Sequence, residues 1–268
     1  MAVLNVTPDS FSDGGVQASN DLISTVRKFI DAGVTIIDVG GESTRPGADP
    51  VTEQEELARV IPAIECIRSL PEAKNIAISI DTYKASVAEA AVNAGADIIN
   101  DISAGVLDPQ MLPTMARLQK TVVFTHTRGT PRTMTGLTDY PDGVIAGVNR
   151  ELSERVSAAE SAGIRRWRII GDPGVGFAKG QSQNLTLLRD LAQLRDDEGL
   201  RYIPWLVGTS RKKFIGRITQ VSNASERTWG TAAAITAAVA GGADIVRVHD
   251  VSEMAQVTRM ADAIYRQG

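Results

Sequence analysis

Ala94-Gly95-Ala96-Asp97-Ile98-Ile99-Asn100 carries the grammar that decides the fold. A helix ends on a glycine, which tolerates a left-handed cap; after a very short turn a β-branched run begins and stops at a polar residue. The same order recurs at Ala32-Gly33-Val34-Thr35-Ile36-Ile37-Asp38 and at Gly241-Gly242-Ala243-Asp244-Ile245-Val246-Arg247. Working outward, other short apolar runs also end in residues able to do chemistry. Ala2-Val3-Leu4 runs into Asn5, Ile76-Ala77-Ile78-Ser79-Ile80 into Asp81, and Val122-Val123-Phe124 leads to His126. Arg168-Ile169-Ile170 leads to Asp172 and Trp205-Leu206-Val207 to Ser210.

This spacing predicts strands near 2–5, 35–38, 76–81, 97–100, 121–125, 167–171, 204–208 and 244–247. Between them, apolar residues recur at three or four positions, as in Leu22-Val26-Phe29-Ile30, Leu57-Val60-Ile61-Ile64 and Leu185-Leu188-Leu191-Leu194, the period of amphipathic helices. Alternating strands and helices with almost no hairpin signal imply a parallel sheet. Eight such units point to an α/β fold of the (β/α)8 TIM-barrel kind, one domain over residues 1–268, with its chemistry at the strands' C-terminal ends. An open doubly wound sheet is the competing topology, but no Gly-x-Gly-x-x-Gly follows the first strand.

A net charge of −4 and a pI near 5.3 exclude nucleic acid and anionic membranes as main partners, since both require a basic face. Cys66 is the single cysteine, so there is no internal disulfide; its apolar helical neighbours Ile64 and Ile67 suit a buried thiol in a reducing compartment. The chain opens on a strand pattern with no signal peptide, and Thr231 to Ala243 is too short to span a membrane and reads as a tightly packed helix. A cytoplasmic protein is expected.

Four segments are too polar and too rich in glycine and proline to be mere connectors. The loop Asn5-Val6-Thr7-Pro8-Asp9-Ser10-Phe11-Ser12-Asp13-Gly14-Gly15 has the oxygen density that suits a hard cation such as Mg²⁺, with an Asx cap as the structural alternative. In Asp38-Val39-Gly40-Gly41-Glu42-Ser43-Thr44-Arg45-Pro46-Gly47 two glycines permit close backbone approach before two hydroxyls and an arginine. Asp81, Asn100 and Asp172 end strands; a carboxylate accepts two parallel N–H bonds and so complements a guanidine-like heterocycle edge, although Asp81 and Asp101 also fit as helix caps. Ser210-Arg211-Lys212-Lys213 and Arg247-Val248-His249 follow the seventh and eighth strands, where barrels of this class bind phosphate, and Ser210 is expected to open a helix. Lys213 reads as solvated. Gly174-Val175-Gly176-Phe177-Ala178-Lys179-Gly180 is not a phosphate loop, because its lysine precedes the last glycine and no hydroxyl follows. Two distant histidines and one cysteine make zinc a poor fit.

Together, Leu4 to Gly15, Asp38 to Gly47, Asp172-Pro173-Gly174-Val175-Gly176-Phe177, Ser210-Arg211-Lys212 and Arg247-Val248-His249-Asp250 resemble the dihydropteroate synthase family over nearly the whole chain. The resemblance implies a Mg²⁺-dependent enzyme of folate biosynthesis, a sulfonamide target, that joins a dihydropterin pyrophosphate to p-aminobenzoate and releases pyrophosphate. It implies pterin contacts from Asp81, Asn100, Asp172, Phe177, Lys212 and Arg247, and pyrophosphate contacts from Asn5, Arg247 and His249. Asn5 and Asp9 match the metal-associated positions; Thr44, Arg45, Pro46, Ser210 and Phe11 match the p-aminobenzoate pocket. Arg247, His249, Lys212 and Asp81 would carry the chemistry. A homodimer is expected. Thr125-His126-Thr127 departs from the Met-His-Met of many members, and the chain starts at the first barrel strand without the family's N-terminal hairpin. The latter suits a trimmed chain or one part of a multifunctional, in some eukaryotes organellar, folate enzyme. A pterin-binding methyltransferase domain shares the pterin acceptors but needs neither Thr44-Arg45-Pro46 nor Arg247-Val248-His249; a non-catalytic pterin-binding protein is the remaining rival.

Overall fold

Strand and helix alternate through the computed structural model, which describes residues 1–6, 16–43 and 47–266, with backbone alone for 16–19. The order is β1 (Ala2–Asn5), α1 (Val16–Asp31), β2 (Ile36–Gly40), α2 (Glu53–Ser69), β3 (Ala77–Asp81), α3 (Ala85–Ala94), β4 (Ile98–Asp101), α4 (Met111–Leu118) and β5 (Thr121–Thr125). It continues through α5 (Val144–Ser161), β6 (Ile169–Asp172), α6 (Gln181–Arg189), α7 (Leu191–Arg195), β7 (Leu206–Val207), α8 (Lys213–Thr219), α9 (Thr228–Ala240), β8 (Ile245–Val246) and α10 (Val251–Tyr265).

Strands β1 to β6 pair in sequence order, all parallel, and β7 pairs with β8. Two parallel bridges join these sheets into a ring, Gly171 to Trp205 and Ala2 to Val248. Gly171 N–H donates to Pro204 O at 2.9 Å, and Val3 N–H and Val248 N–H reach Val248 O and Met1 O at 2.9 and 3.0 Å. The result is the (β/α)8 barrel.

The repeated helix-glycine-strand grammar has a structural cause. Gly95 ends α3 at φ 120° and its N–H reaches the carbonyl of Val92; a Cβ there would meet the Arg68 side chain at 2.9 Å. Gly33 and Gly242 also take positive φ. The aspartate that follows in two copies ties adjacent strands together. Asp97 Oδ2 accepts the N–H of Ile78 at 2.9 Å, and Asp244 Oδ2 that of Trp205 at 2.8 Å. Arg68 completes the first of these, pairing with Asp97 and donating to Gly95 O and Ile76 O. At the start of α2, Thr52 and Glu55 form a capping box that satisfies two helix-end donors.

Each strand alternates faces. Ile37, Val39, Ile78, Ile80, Ile99, Val122, Phe124 and Ile169 join one large cluster with helix residues such as Val26, Val60, Ala88, Leu152 and Leu188. Residues of the opposite parity, Met1, Ile98, Val123, Ile170 and Leu206 with Ile36, Ala77 and Ile245, form a separate cluster inside the barrel at the strands' N-terminal ends. One or two steps further along the same face the residues become polar: Asn5, Asp38, Asp81, Asn100, Thr125, Asp172 and Arg247.

Some expectations are corrected. Leu185 to Leu194 is not one helix, because Asp190, at φ −109° and ψ 22°, separates α6 from α7. Ser210 does not open a helix: α8 begins at Lys213, with Lys212 in the cap position. Cys66 is partly rather than fully buried, packed against the outer core.

Candidate functional site

The polar layer follows from the strand alternation. Asp38, Asp81, Asn100 and Asp172 project into a barrel whose floor is apolar, and Arg247, just after β8, meets them there. Arg247 Nε donates to Asp38 Oδ2 and Nη2 to Asp81 Oδ2, both at 2.6 Å. Asn100 Nδ2 donates to Asp38 Oδ2 at 3.2 Å. Burial opposes charge on the guanidinium, but the two carboxylates outweigh it and raise its pKa. Asp81 rises to about 7, first because it is buried and then, against the pull of Arg247, because Asp38, Glu56 and Asp101 are near. Its Oδ1 is buried without a hydrogen-bond partner among the described residues, an unused acceptor on a residue that lines the pocket.

Asp38 is the residue that sequence reasoning left out of the site. It is fully buried and organises both Arg247 and Asn100. The signal was available: a carboxylate between Ile37 and Val39, inside a strand buried on both faces, must have a charged or hydrogen-bonding partner.

Asp81, Asn100, Ile102, Thr125, Asp172, Phe177, Gly208, Ser210, Lys212, Arg247 and His249 line one pocket at the C-terminal mouth of the barrel. Lys212 donates to Val175 O, and its ammonium lies 4.8 Å from the centre of the Phe177 ring. Burial lowers its pKa to about 8 despite the Asp172 carboxylate. Burial raises Asp172, while Lys212 and the Gly174 N–H, 2.7 Å from Oδ1, act in the opposite sense. Ser210 Oγ accepts the backbone N–H of His249 at 3.2 Å and stands 3.0 Å from Nδ1. The hydroxyl thus ties the backbone and the ring of His249 to the loop after β7.

Asn5 ends β1 opposite Gly40, which in turn pairs with Asp81. A Cβ on Gly40 would lie 3.8 Å from both the Asn5 amide oxygen and Asp81 Oδ2, so Asn5 belongs to the same rim. Asp9, Phe11, Thr44, Arg45 and Pro46 lie outside the described residues.

Several polar candidates are structural. Asp101 takes the N–H groups of Ser103 and Gly105 at 2.7 Å each and shapes the turn after β4. Asp81 is not a helix cap, since α3 begins after Lys84. Arg211, at φ 62°, pairs with Asp250 and couples the loops after β7 and β8, while Lys213 is exposed. Among the described residues no group of three or more His, Cys, Asp or Glu side chains could hold a metal, and no helix is long and apolar enough to cross a membrane.

Comparison with known proteins agrees with this geometry. Residues 1–249 match the model of the pterin binding enzyme family. The chain is 48% identical over its full length to the folic acid synthesis protein fol1 of Pneumocystis carinii, of which it spans 36%. It is 47% identical over 99% of its length to the dihydropteroate synthase of Synechocystis sp., covering 90% of that protein. The crystal structure of the dihydropteroate synthase of Clostridium difficile in the presence of pteroic acid superposes with a TM-score of 0.90 at 40% identity, covering 100% of this chain and 96% of that one.

Proposed function

The chain belongs to the pterin-binding enzyme family, and we propose that it acts there as a dihydropteroate synthase, condensing 6-hydroxymethyl-7,8-dihydropterin pyrophosphate with p-aminobenzoate to give 7,8-dihydropteroate and pyrophosphate. The observation that carries the proposal is the convergence of Asp81, Asn100, Asp172, Lys212, Arg247 and His249 on one pocket at the C-terminal mouth of the barrel. The pterin's 2-amino and ring N–H edge requires paired acceptors, which Asp81 and Asp172 supply. Lys212 offers a donor and Phe177 an apolar face. Arg247 stands at the boundary between the ring site and the rim, where its charge can act on a diphosphate with His249 and Asn5.

Breaking the carbon–oxygen bond places negative charge on the departing diphosphate. Arg247 and His249 would act on that charge, and such groups lower the barrier most when buried and pre-oriented. The electron-rich pterin carries the positive charge left behind, and the aromatic amine then attacks. An arylammonium product is acidic enough to lose its proton without a strong base, so none is assigned.

The donor set fits Mg²⁺. A single neutral amide oxygen from Asn5 beside a diphosphate suits an ion that keeps its waters and binds few protein oxygens. Bound there with Asn5 and, at the adjoining loop, Asp9, it would supply charge neutralisation to the leaving group. The p-aminobenzoate site is proposed at Ser210 together with Phe11, Thr44, Arg45 and Pro46, which makes sulfonamides competitive inhibitors. A homodimer is part of the same proposal, checked by molar mass from light scattering.

The test is direct. Incubated with the dihydropterin pyrophosphate, Mg²⁺ and p-aminobenzoate, the protein should release pyrophosphate and form dihydropteroate. Absence of both products would overturn the proposal.

A further inference from the structure

Lys179, two residues after Phe177, has no part in the proposed chemistry, and it is buried. Its Nζ meets four acceptors: His126 Nδ1 and Phe177 O at 2.9 Å, Gly174 O at 3.1 Å and His126 O at 3.3 Å. Burial pushes the Lys179 pKa well below its ordinary value, but four acceptors around one nitrogen select the ammonium, which has three N–H bonds and no lone pair; His126 Nδ1 therefore accepts and the ring proton sits on Nε2. From there it is donated to Glu151 Oε2 at 3.1 Å, and Glu151 is also paired with Arg128. Burial and the Lys179 charge hold the imidazole neutral, pushing its pKa down to about 4.

Two of the three carbonyls that Lys179 grips, those of Gly174 and Phe177, lie on the turn after β6 that carries the ring site. Gly174 is the centre of the connection: its C=O accepts from Lys179, while its N–H donates to Asp172 Oδ1 at 2.7 Å. A Cβ at Gly174 would lie 1.9 Å from His126 O and 3.2 Å from Lys179 Nζ, so the turn rests directly on the end of β5 and on the ammonium. At the other end, the Phe177 carbonyl is fixed by Lys179 from one side and its ring is covered by Lys212 from the other.

Resting on the reading of this pocket as a pterin site, we infer that Lys179 is a positioning residue for pterin recognition, setting the Asp172 carboxylate through Gly174 and the Phe177 ring through its carbonyl, with neutral His126 as the acceptor that orients the ammonium. It touches neither substrate nor reacting atoms. Its removal should therefore act on pterin affinity and spare the aminobenzoate side of the reaction.

The experiment is calorimetric titration of 6-hydroxymethylpterin into the wild-type protein and Lys179→Met, with KM for p-aminobenzoate measured in parallel. Lys179→Met should weaken pterin binding at least tenfold, keep KM for p-aminobenzoate within twofold and still unfold cooperatively. Wild-type protein that fails to bind the pterin would overturn the pterin-site reading itself. Wild-type binding with an equally tight variant, or an equal loss on both substrates, would overturn the role of Lys179. Should Lys179→Met fail to fold, His126→Asn and His126→Leu decide the matter. Asn places an oxygen acceptor near the position of Nδ1 and should bind pterin within threefold of wild type, whereas Leu should lose more than that; equal affinities would refute the inference.

Discussion

The floor and the rim of this barrel are built by the same strands and the same face, yet their chemistry is opposite. At the floor, Ile98, Val123, Ile170 and Leu206 fill the interior with apolar volume. Two residues later on β4 and β6 the same face presents Asn100 and Asp172, and across from them Asp38, Asp81 and Arg247. The floor supplies burial that any apolar residues of the right volume would supply. The rim instead concentrates desolvated charge whose partners must be right, since a buried ion pair is tolerated only while it is complete. The floor is thus tolerant of apolar exchange, whereas the rim is not.

The largest break in that contrast is expected from Arg247→Ala. It leaves Asp38 and Asp81 buried without their cation, a loss of about 3–5 kcal/mol of stability, and removes a donor to the leaving group, reducing kcat by about 10²–10³-fold. Denaturant unfolding and pyrophosphate release measure the two; wild-type kinetics would remove Arg247 from the anion site. Ile98→Ala at the floor should cost a similar amount of stability, about 2–5 kcal/mol, with kcat/KM unchanged. A kinetic defect there would show that floor and rim are not separable.

His126 sharpens the comparison through pH. Between pH 6.5 and about 4 the unfolded imidazole holds a proton that the folded one refuses, so acidification across that window favours the unfolded chain. With Lys179, Arg128 and Tyr140 facing the ring and Glu151 opposing them, the group is expected to account for about 3 kcal/mol of acid lability. His126→Asn should remove that slope from the pH-stability curve, measured as the difference between variant and wild type; parallel curves would disprove it. The smallest effect is at Lys212. Its ammonium loses its proton above about pH 8 in the free protein, so kcat/KM for the pterin substrate should fall about tenfold per pH unit beyond that point. Lys212→Arg should move this limb to higher pH, and a limb that stays in place would assign it to another group.

How much of the site was legible depended on where each residue lay in its strand. Asp81, Asn100 and Asp172 stand at the ends of apolar runs, where a polar residue interrupts an obvious pattern. Asp38 reads as the end of its run, although β2 continues through Val39 and Gly40; its role depends on the partner just after β8, 209 residues away in sequence. Lys179 does not fit the phosphate-loop template, since it precedes the last glycine and no hydroxyl follows. Nothing in its neighbours foretold that it would lie under the turn, because its acceptors are backbone carbonyls, present at every position and selected only by folding. The split at Asp190 was hidden for a related reason: the leucine period runs unbroken across two helices whose axes need not agree.

Local pattern by itself determined the alternation of strand and helix, the parallel barrel and the polar character of the strand ends, because periodicity and helix-terminating glycines act over a few residues. Only the tertiary structure decided which polar residues face one another, which carboxylates share Arg247 and which lysine works from beneath the pocket. Those choices depend on register and ring closure, and electrostatic partners inside a barrel are set by distance in space, on which spacing along the chain is silent.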